Sequence, residues 1–138
     1  MSKTYQLDIL TPEREFFSGQ VEALIITAPD GELAIWADHA PIVAPLVVGS
    51  FKIKTDGKWK EAFNSEGFLE VSKLGVVLFA QACEWPEDID IKRAEESKRR
   101  SEERLRQQQS INEYKGSKIA LARAMARLRV TRQKYNLD

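Results

Sequence analysis

The chain has 138 residues, 43% of them hydrophobic and 30% charged, which is enough for one modest core and an appendage. No stretch approaches the ~18 apolar residues that span a bilayer, and the first residues lack the apolar run of a signal peptide. The single cysteine, Cys83, and the single histidine exclude an internal disulfide and a cluster of metal ligands. We therefore expect a protein that is made and kept inside the cell, with Cys83 as a small core residue.

The charge is distributed unevenly along the chain. Residues 1–86 carry 7 basic and 12 acidic side chains, whereas residues 87–138 carry 14 basic and 9 acidic side chains, so the net charge of zero conceals two opposite halves. Such an asymmetry indicates segments with different chemical roles. We predict two domains with these bounds, 1–86 and 87–138.

The first domain has the pattern of short strands separated by turns. Apolar and polar residues alternate from Tyr5 to Ile9, and residues 23–28 form a continuous apolar run that is typical of a strand buried on both faces. Asp56 and Gly57 tolerate positive φ and separate two alternating runs, which predicts a β-hairpin. Further strands are predicted at 67–71 and 76–80. The pattern favours an all-β sandwich or a flattened barrel.

After Pro86 the sequence takes the period and composition of helices. Either Asp88 or Asp90 can cap a first helix that runs to about Arg106, and residues 109–112 form a polar break before a second helix that ends near Lys134. Two helices joined by a short turn form an αα-hairpin.

The two predicted helices differ in their apolar content. Between residues 95 and 110 the first helix has only Leu105 as a large apolar side chain. A helix that buries so little gains little from packing, and isolated helices of this length are marginal in water. We therefore expect a hairpin that is mobile or is ordered by a partner. The second helix is predicted to dock through an apolar stripe of Ile111, Tyr114, Leu121, Met125 and Leu128.

Three segments, in this order and spacing, carry a family resemblance: GELAI and DHAPIVAPL over residues 31–35 and 38–46, GFLEV over 67–71, and IDIKRA over 89–94. Together they resemble the epsilon subunits of bacterial F-type ATP synthases and cover nearly the whole chain. The resemblance implies an N-terminal β-sandwich of about ten strands, a C-terminal antiparallel two-helix hairpin, and a regulatory subunit without activity of its own.

The resemblance also implies partners and a location. The sandwich would bind the gamma subunit and the c-ring of a proton-translocating complex, at the cytoplasmic face of the bacterial plasma membrane. The hairpin would fold down on the sandwich or extend toward the alpha and beta catalytic subunits, where it inhibits ATP hydrolysis. The partner-binding residues implied by the resemblance are Glu32, Asp38, His39, Ala40 and Pro41.

The hairpin also carries a candidate nucleotide site. Arg93 and Arg100 share one face of the first helix, and Arg123 and Arg127 share one face of the second. Bringing these faces together concentrates positive charge that a triphosphate can neutralise. On spacing alone, a solvated helix face with support from neighbouring glutamates is the alternative. The resemblance favours regulatory ATP, with Mg²⁺ allowed beside the nucleotide but no metal required by the chain.

The implied nucleotide contacts are Glu84, Ile89, Asp90, Arg93, Ala94, Arg100, Arg123 and Arg127. One departure from the family pattern is Trp85-Pro86, which follows Glu84 and affects both the placement of that carboxylate and the stiffness of the hinge.

Two other classes of function are less favoured by the sequence. A nucleic-acid clamp would use the basic hairpin, but nine acidic side chains offset its positive charge and only two tyrosines could stack on bases. A free-standing nucleotide-dependent enzyme would need a Gly-rich phosphate loop or a positioned base, and neither is recognisable, because His39 has no nucleophile or second histidine beside it in the sequence.

Overall fold

A computed structural model describes residues 3–107 and 110–136, the last three of them as backbone. It contains ten strands followed by two helices, and the chain divides into two units, Met1–Glu84 and Trp85–Asp138. The strands are β1 Tyr5–Leu10, β2 Glu15–Val21, β3 Ala23–Ala28, β4 Gly31–Trp36, β5 Ile42–Leu46, β6 Gly49–Thr55, β7 Lys58–Asn64, β8 Gly67–Ser72, β9 Gly75–Ala80 and β10 Cys83–Glu84. After a 3₁₀ turn over Pro86–Asp88 come the helices α1 Ile91–Arg106 and α2 Ile111–Asn136.

The strands form two five-stranded sheets in the first unit. One sheet has the order β2-β1-β9-β8-β5 and the other β10-β7-β6-β3-β4. All neighbouring strands are antiparallel except β1 and β9, which are parallel. The prediction of a β-sandwich with about ten strands followed by a helical pair is therefore confirmed.

Large apolar side chains from both sheets fill the sandwich. Phe16 of β2 meets Phe51 of β6 edge to face across the two sheets, with ring centroids 6.3 Å apart. In β3, Ala23 and Leu24 point to opposite faces and both are buried, as the continuous apolar run predicts. The core includes Leu7, Ile9, Leu24, Ile26, Ile35, Phe51, Ile53, Leu69 and Leu78, all without solvent exposure.

Two glycines show how backbone geometry determines sequence in the sandwich. Gly57 follows Asp56 in the β6–β7 turn, and both have positive φ, so the predicted hairpin is confirmed. Gly67, the first residue of the GFLEV segment, pairs with Ala80, and a Cβ at this position would lie 1.8 Å from the carbonyl oxygen of Phe79. The close approach of β8 and β9 therefore requires glycine there.

The helices of the second unit start at well-formed caps. Asp90, one of the two predicted caps, precedes α1, and its Oδ1 accepts a hydrogen bond from the backbone nitrogen of Arg93 at 3.0 Å. Ser110 precedes α2 and forms a capping box with Glu113: the Glu113 nitrogen donates to Ser110 Oγ at 3.2 Å, and the Ser110 nitrogen donates to the Glu113 carboxylate at 3.3 Å. Helix α2 therefore begins at Ile111, inside the predicted polar break. Neither described helix is long and apolar enough to cross a membrane.

The predicted docking stripe of α2 is mostly exposed in this structure. Ile111 is 73% exposed and Met125 50% exposed, and Tyr114 is also exposed, although Leu128 is buried. The buried positions of α2 are instead occupied mostly by small or β-branched residues. These are Ser117, Ala124, Ala126, Leu128, Val130 and Thr131.

Candidate nucleotide site and docking residues

The two helices of the hairpin meet along small side chains. Ala94 and Ser101 of α1 are buried and seven residues apart, and Ser117, Ala124 and Thr131 of α2 are buried at the same spacing. Residues seven apart lie on one face of a helix, and small side chains allow two helix axes to approach closely. We call these five residues the seam.

One side of the seam is a groove lined by charged residues from both helices. Glu95 and Glu102, which each follow a seam residue on α1, line it together with Arg132, which follows a seam residue on α2. Met125, which also follows a seam residue on α2, lies on this side with Lys98 of α1. Each following residue is rotated by about 100° from the seam. The residues that follow the seam therefore lie on the same side of the hairpin in both helices.

The opposite side carries the predicted phosphate ligands. Arg93 and Arg100 immediately precede seam residues on α1, Arg123 immediately precedes one on α2, and Arg127 lies one turn further along α2. Preceding residues are rotated away from the groove, so the structure brings all four arginines to one side of the hairpin, which we call the arginine flank. Arg93 and Arg100 are exposed, whereas Arg123 and Arg127 are half-buried. Guanidinium groups suit phosphate oxygens because they donate paired hydrogen bonds.

The remaining hairpin residues of the predicted site lie at the start of α1. Asp90 caps the helix and therefore fixes the position of Arg93, whose backbone nitrogen it binds. Ile89 and Ala94 are buried beside them, at 8% and 5% exposure. An N-terminal helix end favours negative charge nearby, which fits a phosphate beside Arg93.

Glu84 lies in the other unit of the chain, on the short strand β10. It pairs with Phe63 of β7 and is half-buried. The neighbouring Cys83 is a buried core residue, as predicted, and burial raises the pKa of its thiol to about 12, with the Glu84 carboxylate adding to the effect. The carboxylate of Glu84 therefore stands beside a thiol that is held neutral.

The predicted partner-binding loop follows β4. Asp38 has a φ of 65°, and its carboxylate forms an ion pair with Lys3 at 2.9 Å. His39 directs Nδ1 toward the carbonyl oxygen of Ala40 at 2.7 Å, and Ala40 and Pro41 are exposed. The loop is thus a fixed, accessible surface feature.

Glu32 does not lie with the other predicted partner-binding residues. It is exposed near the start of β4, whereas Asp38 follows the end of that strand. At about 3.3 Å per strand residue, Glu32 and the end of β4 at Trp36 are about 13 Å apart, so the two carboxylates lie toward opposite ends of the sandwich.

A groove of about 670 Å³, which no sequence pattern predicted, lies beside the Asp38 loop. Trp36 lies on the edge strand β4 and is 52% exposed at the rim. Leu74, in the β8–β9 turn, is 93% exposed on the same groove. The available sequence signal was an apolar residue at a turn position where polar residues dominate.

Comparison with known proteins covers both units of the chain. Residues 4–86 match the family described as ATP synthase, Delta/Epsilon chain, beta-sandwich domain, and residues 87–132 match its long alpha-helix domain. The ATP synthase epsilon chain of Caldanaerobacter subterraneus subsp. tengcongensis is 48% identical over 94% of this chain and 95% of its own length. The ATP synthase epsilon chain of Ruminiclostridium cellulolyticum is 47% identical over 95% of this chain and 98% of its own.

Solved structures share the fold at low sequence identity. A chain in the cryo-EM structure of the Euglena gracilis mitochondrial ATP synthase, OSCP/F1/c-ring, superposes with a TM-score of 0.78 at 20% identity, covering 98% of this chain and 82% of that one. A chain in the central stalk/c-ring structure of the Tetrahymena thermophila enzyme gives 0.70 at 10% identity, covering 94% and 98%. Because both domains match in order and the relatives align over nearly their full length, this chain belongs to the family of ATP synthase epsilon chains.

Proposed function

We propose that the chain is a non-catalytic subunit in the central stalk of a proton-translocating F-type ATP synthase. Its sandwich links the gamma subunit to the c-ring, and its hairpin regulates ATP hydrolysis. Membership of the epsilon-chain family supports this role, as do the two separated ends of the sandwich, which offer one surface to each partner. The subunit would lie peripherally at the cytoplasmic face of the bacterial plasma membrane.

The arginine flank is the observation that carries the proposed regulation. Four guanidinium groups on one side of the hairpin favour the negative charge of an anion beside them. A nucleotide triphosphate supplies that charge, and the cap at Asp90 orders the helix turn that presents Arg93. We assign ATP as the ligand. Mg²⁺ can accompany the nucleotide.

ATP that binds one arrangement of the hairpin stabilises that arrangement by its difference in affinity for the two. In our proposal ATP holds the hairpin folded down, and loss of ATP frees a basic hairpin to extend toward acidic surfaces of the alpha and beta subunits, where it blocks hydrolysis. The inhibition should therefore weaken as the ATP concentration rises through the dissociation constant.

The test is ATP hydrolysis by the assembled complex with the full chain or with the chain ended after Glu87. Truncation should raise hydrolysis at low ATP, where the hairpin is free to inhibit, and change it less at high ATP. Copurification with gamma should be retained. If complexes with the full and the truncated chain hydrolyse ATP at equal rates at every ATP concentration, the hairpin does not inhibit.

A further inference from the structure

The chain contains two Asp-Gly pairs, Asp30-Gly31 and Asp56-Gly57, and both lie at hairpin turns of the sandwich. In such a pair the backbone nitrogen of the glycine can attack the side-chain carboxyl of the aspartate, because glycine has no Cβ to obstruct the approach. All four residues are exposed, so water reaches both turns. The two pairs therefore share the same chemistry, and their surroundings decide how fast each one reacts.

A carboxylate from another part of the chain holds the nitrogen of Gly57. This nitrogen donates a hydrogen bond to Glu22 Oε1 at 2.8 Å. Glu22 lies between β2 and β3, flanked by the fully buried Val21 and Ala23, and its own backbone nitrogen donates to the carbonyl oxygen of Lys54 at 2.8 Å. The backbone and the side chain of Glu22 are thus both bonded to the β6–β7 hairpin, so the carboxylate is held in place.

The β6–β7 turn depends on an uncommon backbone conformation. Asp56 and Gly57 have φ of 51° and 76°, and a two-residue turn that joins the paired Thr55 and Lys58 needs positive φ at both central positions. Positive φ is uncommon for a residue other than glycine. A reaction that changes the main chain at Asp56 would therefore release this conformation and disturb the strand pairing beside it.

The reaction at Asp56 consists of two balanced steps. The Gly57 nitrogen gives up its proton and bonds to Cγ of Asp56, while a C–O bond of the protonated carboxyl group breaks and its hydroxyl leaves with that proton as water. The resulting five-membered succinimide takes up water at the main-chain carbonyl carbon of Asp56, whose bond to nitrogen breaks. The product is isoaspartate, in which the main chain runs through Cβ and Cγ, with no net change in mass.

The Glu22 carboxylate opposes the first step. The Gly57 nitrogen becomes nucleophilic as it loses its proton, and negative charge that develops 2.8 Å from a carboxylate oxygen is repelled by it. A hydrogen bond to the protonated form of a group also disfavours its deprotonation. We propose that Asp56-Gly57 is a site of spontaneous isomerisation to isoaspartate, and that Glu22 slows the reaction by holding the Gly57 nitrogen in its protonated form.

The other Asp-Gly pair provides an internal reference. Gly31 has a φ of 123° and pairs with Ala28 across the β3–β4 turn. Glu22 precedes β3 and Asp30 follows it, so the length of this strand, about 17 Å at about 3.3 Å per residue, separates them. A substitution of Glu22 should therefore act on Asp56 alone, whereas a general loss of structure acts on both pairs.

The test is ageing of the purified full chain at neutral pH, below its melting temperature, followed by chymotryptic mapping, which isolates Asp30 and Asp56 in separate peptides. Isoaspartate and aspartate peptides have equal mass and separate by chromatography. Glu22→Gln keeps the shape of the side chain but removes its charge, and should accelerate isomerisation at Asp56 several-fold. Glu22→Ala also removes the hydrogen bond and should accelerate it about 10-fold. The rate at Asp30 should stay at its wild-type value in both variants.

Three results would overturn the proposal. The first is a wild-type rate at Asp56 in both variants. The second is slower isomerisation in Glu22→Gln, because the carboxylate would then be the base that removes the proton. The third is equal acceleration at Asp30 and Asp56, which would assign the effect to loss of structure. Thermal melting shows whether the variants are folded, and if Glu22→Ala is not, Glu22→Gln decides, because it removes the charge and retains the side chain.

Discussion

The sandwich and the hairpin are stabilised in different ways. The sandwich buries large side chains between two sheets, with Phe51, Phe63 and Leu24 fully shielded from solvent. The hairpin seam is built from alanine, serine and threonine, with Ala94 and Ser101 as the buried positions of α1. Burying a large apolar side chain contributes about 1.5–3 kcal/mol, whereas the smaller apolar area of an alanine contributes much less.

This difference suits the two regions to different tasks. A region with a large core opens only at a cost near the global free energy of unfolding, whereas a thinly packed pair of helices can rearrange at much lower cost. A regulatory element must change its arrangement in response to a ligand that supplies only a few kcal/mol. This difference fits the proposed function, in which the sandwich is rigid and the hairpin switches.

The largest expected effect comes from removing a ring from the sandwich core. Phe51→Ala deletes a fully buried side chain that contacts Phe16 across the sheets and should lower the free energy of unfolding by about 3–5 kcal/mol. Urea denaturation followed by tryptophan fluorescence measures this change. A loss below about 1 kcal/mol would contradict the account of the sandwich as the tightly packed region.

Two glycine substitutions should change the stability of the two regions in opposite directions. Gly67→Ala forces a Cβ against the Phe79 carbonyl and should destabilise the sandwich by about 3 kcal/mol. Gly116→Ala places a Cβ in open space within α2 and should stabilise the helix by about 0.5–1 kcal/mol. Denaturation monitored by circular dichroism compares the two variants. If both substitutions stabilised the protein, the close approach of β8 and β9 at Gly67 would be contradicted.

A substitution at the seam should have a smaller effect than the loss of Phe51, and α2 offers a matched control for it. Ala124→Leu overfills a buried position and should destabilise the hairpin by about 1–3 kcal/mol, whereas Ala122→Leu adds the same atoms to an exposed position of the same helix. The helical signal should be lost at a lower temperature in Ala124→Leu, and at the wild-type temperature or above in Ala122→Leu. Equal melting of the two variants would show that small side chains at the seam are not required.

Local signals predicted most of the fold. The Asp56-Gly57 turn was predictable because few residues tolerate the positive φ that both adopt, and the Asp90 cap was predictable because its carboxylate precedes a helical pattern. The grouping of Arg93 with Arg100 followed from helix periodicity. These features depend on neighbours in the sequence.

Features that depend on tertiary structure were missed or misjudged. The seam of small residues was not predicted, because the apolar pattern of α2 draws attention to large residues such as Ile111 and Met125, which are exposed in the structure. The Leu74 groove joins three separate parts of the chain, which no local pattern reveals. The separation of Glu32 from Asp38 follows from their positions at the two ends of one strand.

The most direct test of the central claim is calorimetric titration of the isolated chain with ATP. Arg93→Ala combined with Arg100→Ala removes two exposed guanidinium groups from the arginine flank, each expected to contribute about 1.5–3 kcal/mol through charge-assisted hydrogen bonds. The control, Arg99→Ala combined with Arg132→Ala, removes the same charge from the groove on the other side of the seam. We expect wild type and the control to bind ATP and the flank variant to show no measurable binding. Equal ATP affinity of the flank variant and wild type would contradict the proposed site.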